Sequence, residues 1–174
     1  ISLSGDLIKL NLDPVNSERR FILERLLQLM LYEGGMEPGA DGLIDWGESR
    51  DSYFGESRNV PLFFTVEDRI VGFALIRFSR MLKGSDGHGN IKMNVIEEFF
   101  VARPWRRKGI GTTAAHRILD RYRGQWAITT WPNDARVGFW RHVITQYKRG
   151  NCHEFSPEEH KGFPGQFVWV LETG

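Results

Sequence analysis

A short basic segment with two glycines is the clearest chemical feature of the sequence. It lies where a strand pattern gives way to a helical pattern. The segment consists of three cations and a glycine turn: Arg106, Arg107, Lys108, Gly109, Ile110, Gly111 and Thr112. The first turn of a helix presents unpaired N–H groups and the positive end of the helix dipole, and glycine lets a ligand approach the backbone closely. The segment therefore predicts a phosphate-binding turn.

The spacing of these residues separates several kinds of phosphate-binding turn. A P-loop needs its lysine after the second glycine, and here Lys108 comes before Gly109. A dinucleotide-binding turn needs a third glycine, for which this chain has Ala114, and an acidic ribose partner after a second strand. The alanine variant of that motif keeps the second alternative open. A basic helix start that binds nothing is the structural alternative.

The arrangement R-x-x-G-x-G at a strand-to-helix turn resembles the pyrophosphate loop of the GNAT superfamily of acetyl-CoA-dependent N-acetyltransferases. A later family segment, N-x-x-x-x-x-F-[WY], is matched by Asn133, Phe139 and Trp140. The order of predicted strands and helices along the chain is similar to that of the family as well. The resemblance covers nearly the whole chain, and within the superfamily it is closest in pattern to small bacterial acetyltransferases.

The resemblance implies an enzyme that uses acetyl-CoA as co-substrate, with its pantetheine arm beside a splayed central strand. A bulge at residues 99–101 is expected to separate this strand from its neighbour. The N–H near Phe99 would polarise the thioester carbonyl, and the backbone of Phe100 and Val101 would line the pantetheine arm. Asn133 and Phe139 would flank the cofactor.

Two adjacent carboxylates, Glu97 and Glu98, are the candidates for the general base. An amine is largely protonated near neutral pH, so a base must remove a proton before the amine attacks the thioester. Strand alternation places the two side chains on opposite faces. Glu97 is two residues from Phe99 and would share its face, which favours Glu97 as the base. The bulge could reverse this assignment, and a salt-bridged or solvent-facing carboxylate is the alternative for each.

Trp140 stands where many members of the family have a tyrosine that protonates the departing thiolate. An indole N–H donates hydrogen bonds but is a very poor acid, so the proton would come from water or from a group such as Tyr53 or Tyr147. A packing role for Trp140 is the alternative.

The segment between the first helix and the hairpin is rich in carboxylates and aromatic residues. The residues expected to contact the acceptor are Glu33, Asp45, Asp51 and Tyr53. Several carboxylates facing one cleft suit a cationic, partly apolar amine, and a solvated acidic loop is the alternative.

The elements around these residues predict an α/β (α+β) fold with a mixed, mostly antiparallel sheet flanked by helices, and the resemblance implies that its central strand is splayed. Strands are predicted near residues 7–12, 62–66, 70–78, 92–101, 126–130 and 166–171, and helices near 17–33, 107–122 and 133–147. No repeat or linker divides the chain, so residues 1–174 are expected to form a single acetyltransferase domain.

Composition and charge exclude several function classes. The 23 Lys and Arg against 22 Asp and Glu leave a net charge of +1, which does not suit nucleic-acid binding. Cys152 is the only cysteine, which excludes an internal disulfide and fits a cytoplasmic location. The histidines show no ligand-like spacing, so no metal site is expected, and no apolar run is long enough to span a membrane. The expected partners are acetyl-CoA and an amine acceptor, and a homodimer is left open.

Overall fold

The fold is described from a computed structural model, which covers residues 9–45, 54, 58–147 and 151–174. Seven strands and three α-helices lie entirely within these ranges. The strands are β1 (Leu10–Pro14), β2 (Asn59–Val66), β3 (Arg69–Lys83), β4 (Asn90–Val101), β5 (Gly124–Thr130), β6 (Cys152–Phe155) and β7 (Phe167–Thr173). The helices are α1 (Arg20–Glu33), α2 (Ile110–Arg121) and α3 (Asp134–Gln146), with 3-10 turns at Ser17–Arg19 and Arg103–Trp105.

One sheet contains all seven strands in the order β1-β2-β3-β4-β5-β7-β6. Only β4 and β5 run parallel, and every other neighbouring pair is antiparallel. The predicted fold class, a mixed and mostly antiparallel sheet flanked by helices, is therefore confirmed. The short strand β6 was missed, because residues 152–155 carry no apolar alternation.

Local sequence accounts for the hairpin and for the limits of the first helix. Glu67 and Asp68, both at positive φ, form the two-residue turn between β2 and β3. Asn16 caps the helical segment by accepting a hydrogen bond from the N–H of Arg19. The segment ends at Gly34, as expected.

The helices cover the two faces of the sheet unequally. On one face, α2 and α3 pack on the largest apolar cluster, which includes Ile96, Ile118 and Trp140. We call this the α2/α3 face. On the other face, α1 packs through Leu23 and Leu27, while Phe163 and Phe155, the last residue of β6, pack in a separate small cluster. We call this the α1 face. Within the described ranges no helix is long and apolar enough to cross a membrane.

Candidate active site

A gap opens between β4 and β5 halfway along their length. Their pairing ends at Ile96 and Ile128. Beyond this point β4 continues to Val101 along β3, while β5 continues to Thr130 along β7. The resulting cleft has one backbone edge of each strand along its sides, and the splayed central strand implied by the family resemblance is present.

A β-bulge starts the separation, and it lies at Glu97 rather than at residues 99–101. Glu98 is opposite Leu75 while Ile96 is opposite Ile76, so Glu97 is the extra residue on β4. Simple alternation would place residues 96 and 99 on opposite faces. Both Ile96 and Phe99 instead pack on the α2/α3 face, as the extra residue requires.

The bulge overturns the expected placement of the two glutamates on opposite faces. Glu98 is opposite Leu75, which packs beneath α1, and directly opposed residues on paired strands share a face. Glu97 pairs with Arg77, whose own partner Val95 also belongs to the α1 face. Both carboxylates therefore project towards the α1 face, away from the face on which Phe99 packs.

Two arginines of β3 hold the Glu97 carboxylate. Its Oε1 lies 3.2 Å from Arg77 Nε and 2.7 Å from Arg80 Nη1. The Glu97 side chain is only 11% exposed, and Arg80 also lies over the ring of Phe163. These arginines were missed, because a second register shift in β3 between residues 77 and 80 breaks the alternation that would have placed them together.

The glycine turn that is predicted to bind phosphate has a backbone conformation that glycine favours. Gly109 has φ 76° and ψ −5° and precedes the first residue of α2, while Arg107 has φ 61°. No heavy atom lies within 4 Å of the place where a Gly109 side chain would start, so conformation rather than space requires glycine here. At Gly111 a Cβ would lie 3.0 Å from the Phe139 ring, so this glycine allows helix packing.

The three cations of the turn have different surroundings. Arg106 Nε donates to the carbonyl oxygen of Val101 at 2.7 Å, and its Nη2 donates to Glu33 Oε2 at 2.5 Å. Arg107 and Lys108 are exposed, and neither forms an ion pair within the described part of the chain. Lys108 Nζ lies 4.9 Å from the centre of the Trp105 ring.

The second family segment brings three aromatic rings to the α2/α3 side of the cleft. Phe99 lies 5.7 Å from Phe139 and 5.2 Å from Trp140, measured between ring centres. Trp140 is 6% exposed and belongs to the main core cluster, so the packing role considered for it is present. Asn133 caps α3 by accepting from the N–H of Arg136 at 3.2 Å. Tyr147, a candidate proton donor for the thiolate, lies at the C-terminal end of α3, away from Asn133, and its hydroxyl donates a hydrogen bond to Asp120 of α2.

The described part of the acidic segment, residues 34–45, lies beside α1. Gln28 holds it through two hydrogen bonds to the backbone of Ile44. Residues 37–45 line a cleft of about 570 Å³ whose carboxylates include Asp45. Glu33, expected to contact the acceptor, is paired with Arg106 and with Arg103. The other two predicted acceptor contacts, residues 51 and 53, lie outside the described residues. Among the described residues no group of three or more His, Cys, Asp or Glu side chains could hold a metal ion.

Comparison with known proteins agrees with this geometry. The sequence matches the acetyltransferase (GNAT) family over residues 23–143, which is more than half of the chain. No curated protein is significantly similar to it in sequence. An acetyltransferase from Thermus thermophilus has a TM-score of 0.61 at 14% identity, covering 97% of this chain and 99% of that one.

Two further structures contain named amines together with coenzyme A. An aminoglycoside acetyltransferase in complex with coenzyme A and kanamycin has a TM-score of 0.60 at 12% identity, with 95% of each chain covered. A spermidine N-acetyltransferase from Vibrio cholerae, in complex with CoA and spermine, has a TM-score of 0.58 at 12% identity, with 93% of each chain covered. At these identities the likeness concerns the fold, and the family match concerns the chain itself. The chain belongs to the GNAT family of acetyltransferases and is an acyltransferase.

Proposed function

We propose that this protein transfers the acetyl group of acetyl-CoA to a primary amine of a small molecule or peptide. The observation that carries the proposal is the cleft between β4 and β5, which ends beside a turn with a left-handed glycine and two exposed cations that form no ion pair with the described residues. An extended chain fits between two strand edges that have no partner there, and an anionic group fits the start of α2.

The cofactor contacts follow from this placement. Arg107, Lys108 and the first N–H groups of α2, at residues 110–112, would hold the pyrophosphate through charge and hydrogen bonds. The pantetheine arm would run along residues 99–101 of β4, where β5 offers no hydrogen bonds. The carbonyl oxygen of Val101 already accepts a hydrogen bond from Arg106. The N–H of Val101 is therefore the group that would donate a hydrogen bond to the pantetheine arm. Structural neighbours solved with CoA or acetyl-CoA support the choice of cofactor.

The acceptor would approach from the α1 face. The α2/α3 face is closed beside the cleft by the rings of Phe99, Phe139 and Trp140, whereas both glutamates project to the other face. Neighbours in complex with kanamycin and with spermine support an amine acceptor. We also propose that the acceptor is a cationic amine that binds near Asp45 in the acidic segment.

In the reaction, the amine nitrogen forms a bond to the thioester carbonyl carbon and the carbon–sulfur bond then breaks. We assign the proton-accepting role to Glu98, directly or through a water. We assign the holding of the bulge to Glu97, whose carboxylate two guanidinium groups engage. A backbone N–H near Phe99 would stabilise the oxyanion, which can lower the barrier by about 3 kcal/mol. The thiolate would take its proton from water, and Trp140 would form a wall of the site.

An assay of CoA release tests the proposal. Acetyl-CoA is incubated with spermine, with kanamycin and with a peptide that has a free N-terminus, and the free thiol is measured. We expect turnover with at least one amine. Gly109→Val should lose CoA affinity, whereas Gly138→Val is a matched control, since neither glycine has a heavy atom within 4 Å of its missing Cβ and only Gly109 has positive φ. Equal CoA affinity in the two variants would contradict the assignment of the turn.

A second candidate function is a CoA-binding regulatory module without turnover. It is favoured by the burial of Trp140 in the core at the position where many family members have a tyrosine. This function predicts tight CoA binding and no thiol release with any amine of the panel. Release above the rate of spontaneous hydrolysis with a single amine decides against it.

A further inference from the structure

Arg106 is held by the chain itself on two sides. Its Nε donates to the carbonyl oxygen of Val101 at 2.7 Å, and its Nη2 donates to Glu33 Oε2 at 2.5 Å. The guanidinium carbon also lies 5.5 Å from the ring centre of Phe100. Arg103 Nε, at 3.5 Å, adds a second positive charge beside the same Glu33 oxygen.

These contacts join two elements that are distant in sequence. Val101 is the last residue of β4, beside the cleft, and Glu33 is the last residue of α1 on the opposite side of the turn. A guanidinium is a rigid planar fork, so an arginine bound at both positions fixes the distance between them. Lysine could not do so, because an ammonium has no second, fixed donor direction.

The end of α1 matters for the acceptor side. Residues 34–45 continue from Glu33, and Gln28 holds them back against α1 through its bonds to Ile44. This segment borders the α1 face, from which the amine would approach according to the proposed function. A shift of the last turn of α1 would therefore move the acceptor side while leaving α2 and its N–H groups in place.

We propose that Arg106, the first cation of the glycine turn, is a positioning residue for the acceptor side rather than a phosphate ligand. Arg107 and Lys108 carry the charge that binds the pyrophosphate. Arg106 ties the end of α1 to the end of the cofactor strand, so that the binding of the amine depends on it. The inference rests on the proposed function and assigns within it a role to a residue of the family motif.

Matched variants distinguish the two roles of Arg106. Arg106→Gln and Lys108→Gln each remove one positive charge from the turn, so their electrostatic effects on an anion are comparable. By titration calorimetry with CoA, we expect the Kd to rise at least 10-fold in Lys108→Gln and less than 3-fold in Arg106→Gln. With the best amine of the panel, Arg106→Gln should raise the KM for the amine at least 5-fold while kcat changes less than 2-fold.

Glu33→Gln removes the same ion pair without altering the turn, and it keeps the test decisive if Arg106→Gln does not fold. We expect it to raise the KM for the amine as Arg106→Gln does. The double variant should have nearly the same KM as either single variant, because both changes break the same ion pair. Hydrogen exchange in residues 30–34 should rise in both variants without substrates and stay unchanged in Lys108→Gln.

Three outcomes would overturn the inference. The first is a loss of CoA affinity in Arg106→Gln as large as in Lys108→Gln. The second is a Glu33→Gln variant that binds CoA several-fold more tightly with an unchanged KM for the amine, since a released phosphate ligand would behave in this way. The third is unchanged exchange in residues 30–34. Parental CoA affinity in both Lys108→Gln and Gly109→Val would instead refute the proposed function, and the inference with it.

Discussion

Replacing Glu97 and Glu98 separately by glutamine distinguishes a structural carboxylate from a catalytic one. Glu97→Gln preserves the shape of the side chain but removes the charge that Arg77 and Arg80 share. The 2.7 Å contact with Arg80 is a hydrogen bond, the 3.2 Å contact with Arg77 is an ion pair without hydrogen-bond geometry, and the Glu97 side chain is only 11% exposed. The two guanidinium groups would then lie on the same carbonyl oxygen without a compensating negative charge.

The expected cost follows from these contacts. A hydrogen bond to a charged group stabilises a protein by about 1.5–3 kcal/mol. The arginine side chains are 25% and 38% exposed, so water screens part of the interaction, and glutamine still accepts one hydrogen bond. We expect Glu97→Gln to lower the free energy of unfolding by about 2 kcal/mol. For a chain of this length that corresponds to a fall in Tm of roughly 4–8 °C.

Glu98→Gln should behave differently. We expect it to lower turnover by about 100-fold, with the largest effect at low pH where free amine is scarce. It should leave CoA affinity unchanged, because the glycine turn, which we propose binds the pyrophosphate, lies beyond the end of β4. Its Tm should fall less than that of Glu97→Gln.

The measurements are thermal unfolding by circular dichroism, CoA titration, and steady-state rates between pH 6 and 9. Arg80→Gln is the matched control for the stability argument, since it removes one of the two partners of Glu97 and should lower the Tm by about half as much. A Glu97→Gln variant with parental Tm and a 100-fold loss of turnover would refute the division of roles. Parental rates in both single variants would exclude both residues as the base.

Three further predictions concern stability and thiol reactivity away from the cleft. Gly138→Ala should raise the Tm by about 2–4 °C, because Gly138 lies inside α3 with no heavy atom within 4 Å of the missing Cβ; an unchanged Tm would contradict this. The hydrogen bond from Arg141 holds the pKa of Glu154 below its usual value, and a further hydrogen bond from Trp169 acts in the same direction. The carboxylate therefore stabilises the fold fully above about pH 4.3, and this stabilisation is lost as the pH falls through the lowered pKa. Glu154→Gln should therefore show a weaker loss of stability below pH 4.3 in urea titrations, and a parental pH dependence would count against the ion pair. Although Cys152 is an exposed residue, desolvation of its thiol and the nearby charge of Glu154 raise the pKa of the thiol to about 11. Iodoacetamide should therefore alkylate Cys152 about 20-fold more slowly at pH 8 than it alkylates a free thiol. Equal alkylation rates would contradict the raised pKa.

The sequence alone determined the features that depend on neighbouring residues. A basic glycine segment between a strand pattern and a helical pattern predicted the turn at Gly109. Two strand patterns joined by residues 67–69 predicted the hairpin, whose turn lies at residues 67 and 68. The helices near residues 107–122 and 133–147 were also predicted from the sequence, because capping and helical periodicity act within a few residues. The family followed from such local motifs in a fixed order.

The tertiary structure decided which side chains share a face and which charges meet. The faces of Glu97 and Glu98 depend on one extra residue in β4, and a bulge is defined by the partner strand rather than by the strand itself. Arg106 lies 73 positions from Glu33, and no local pattern links them. Local conformation follows from local sequence, whereas ion pairs follow from strand register and helix packing, which long-range burial of apolar surface fixes.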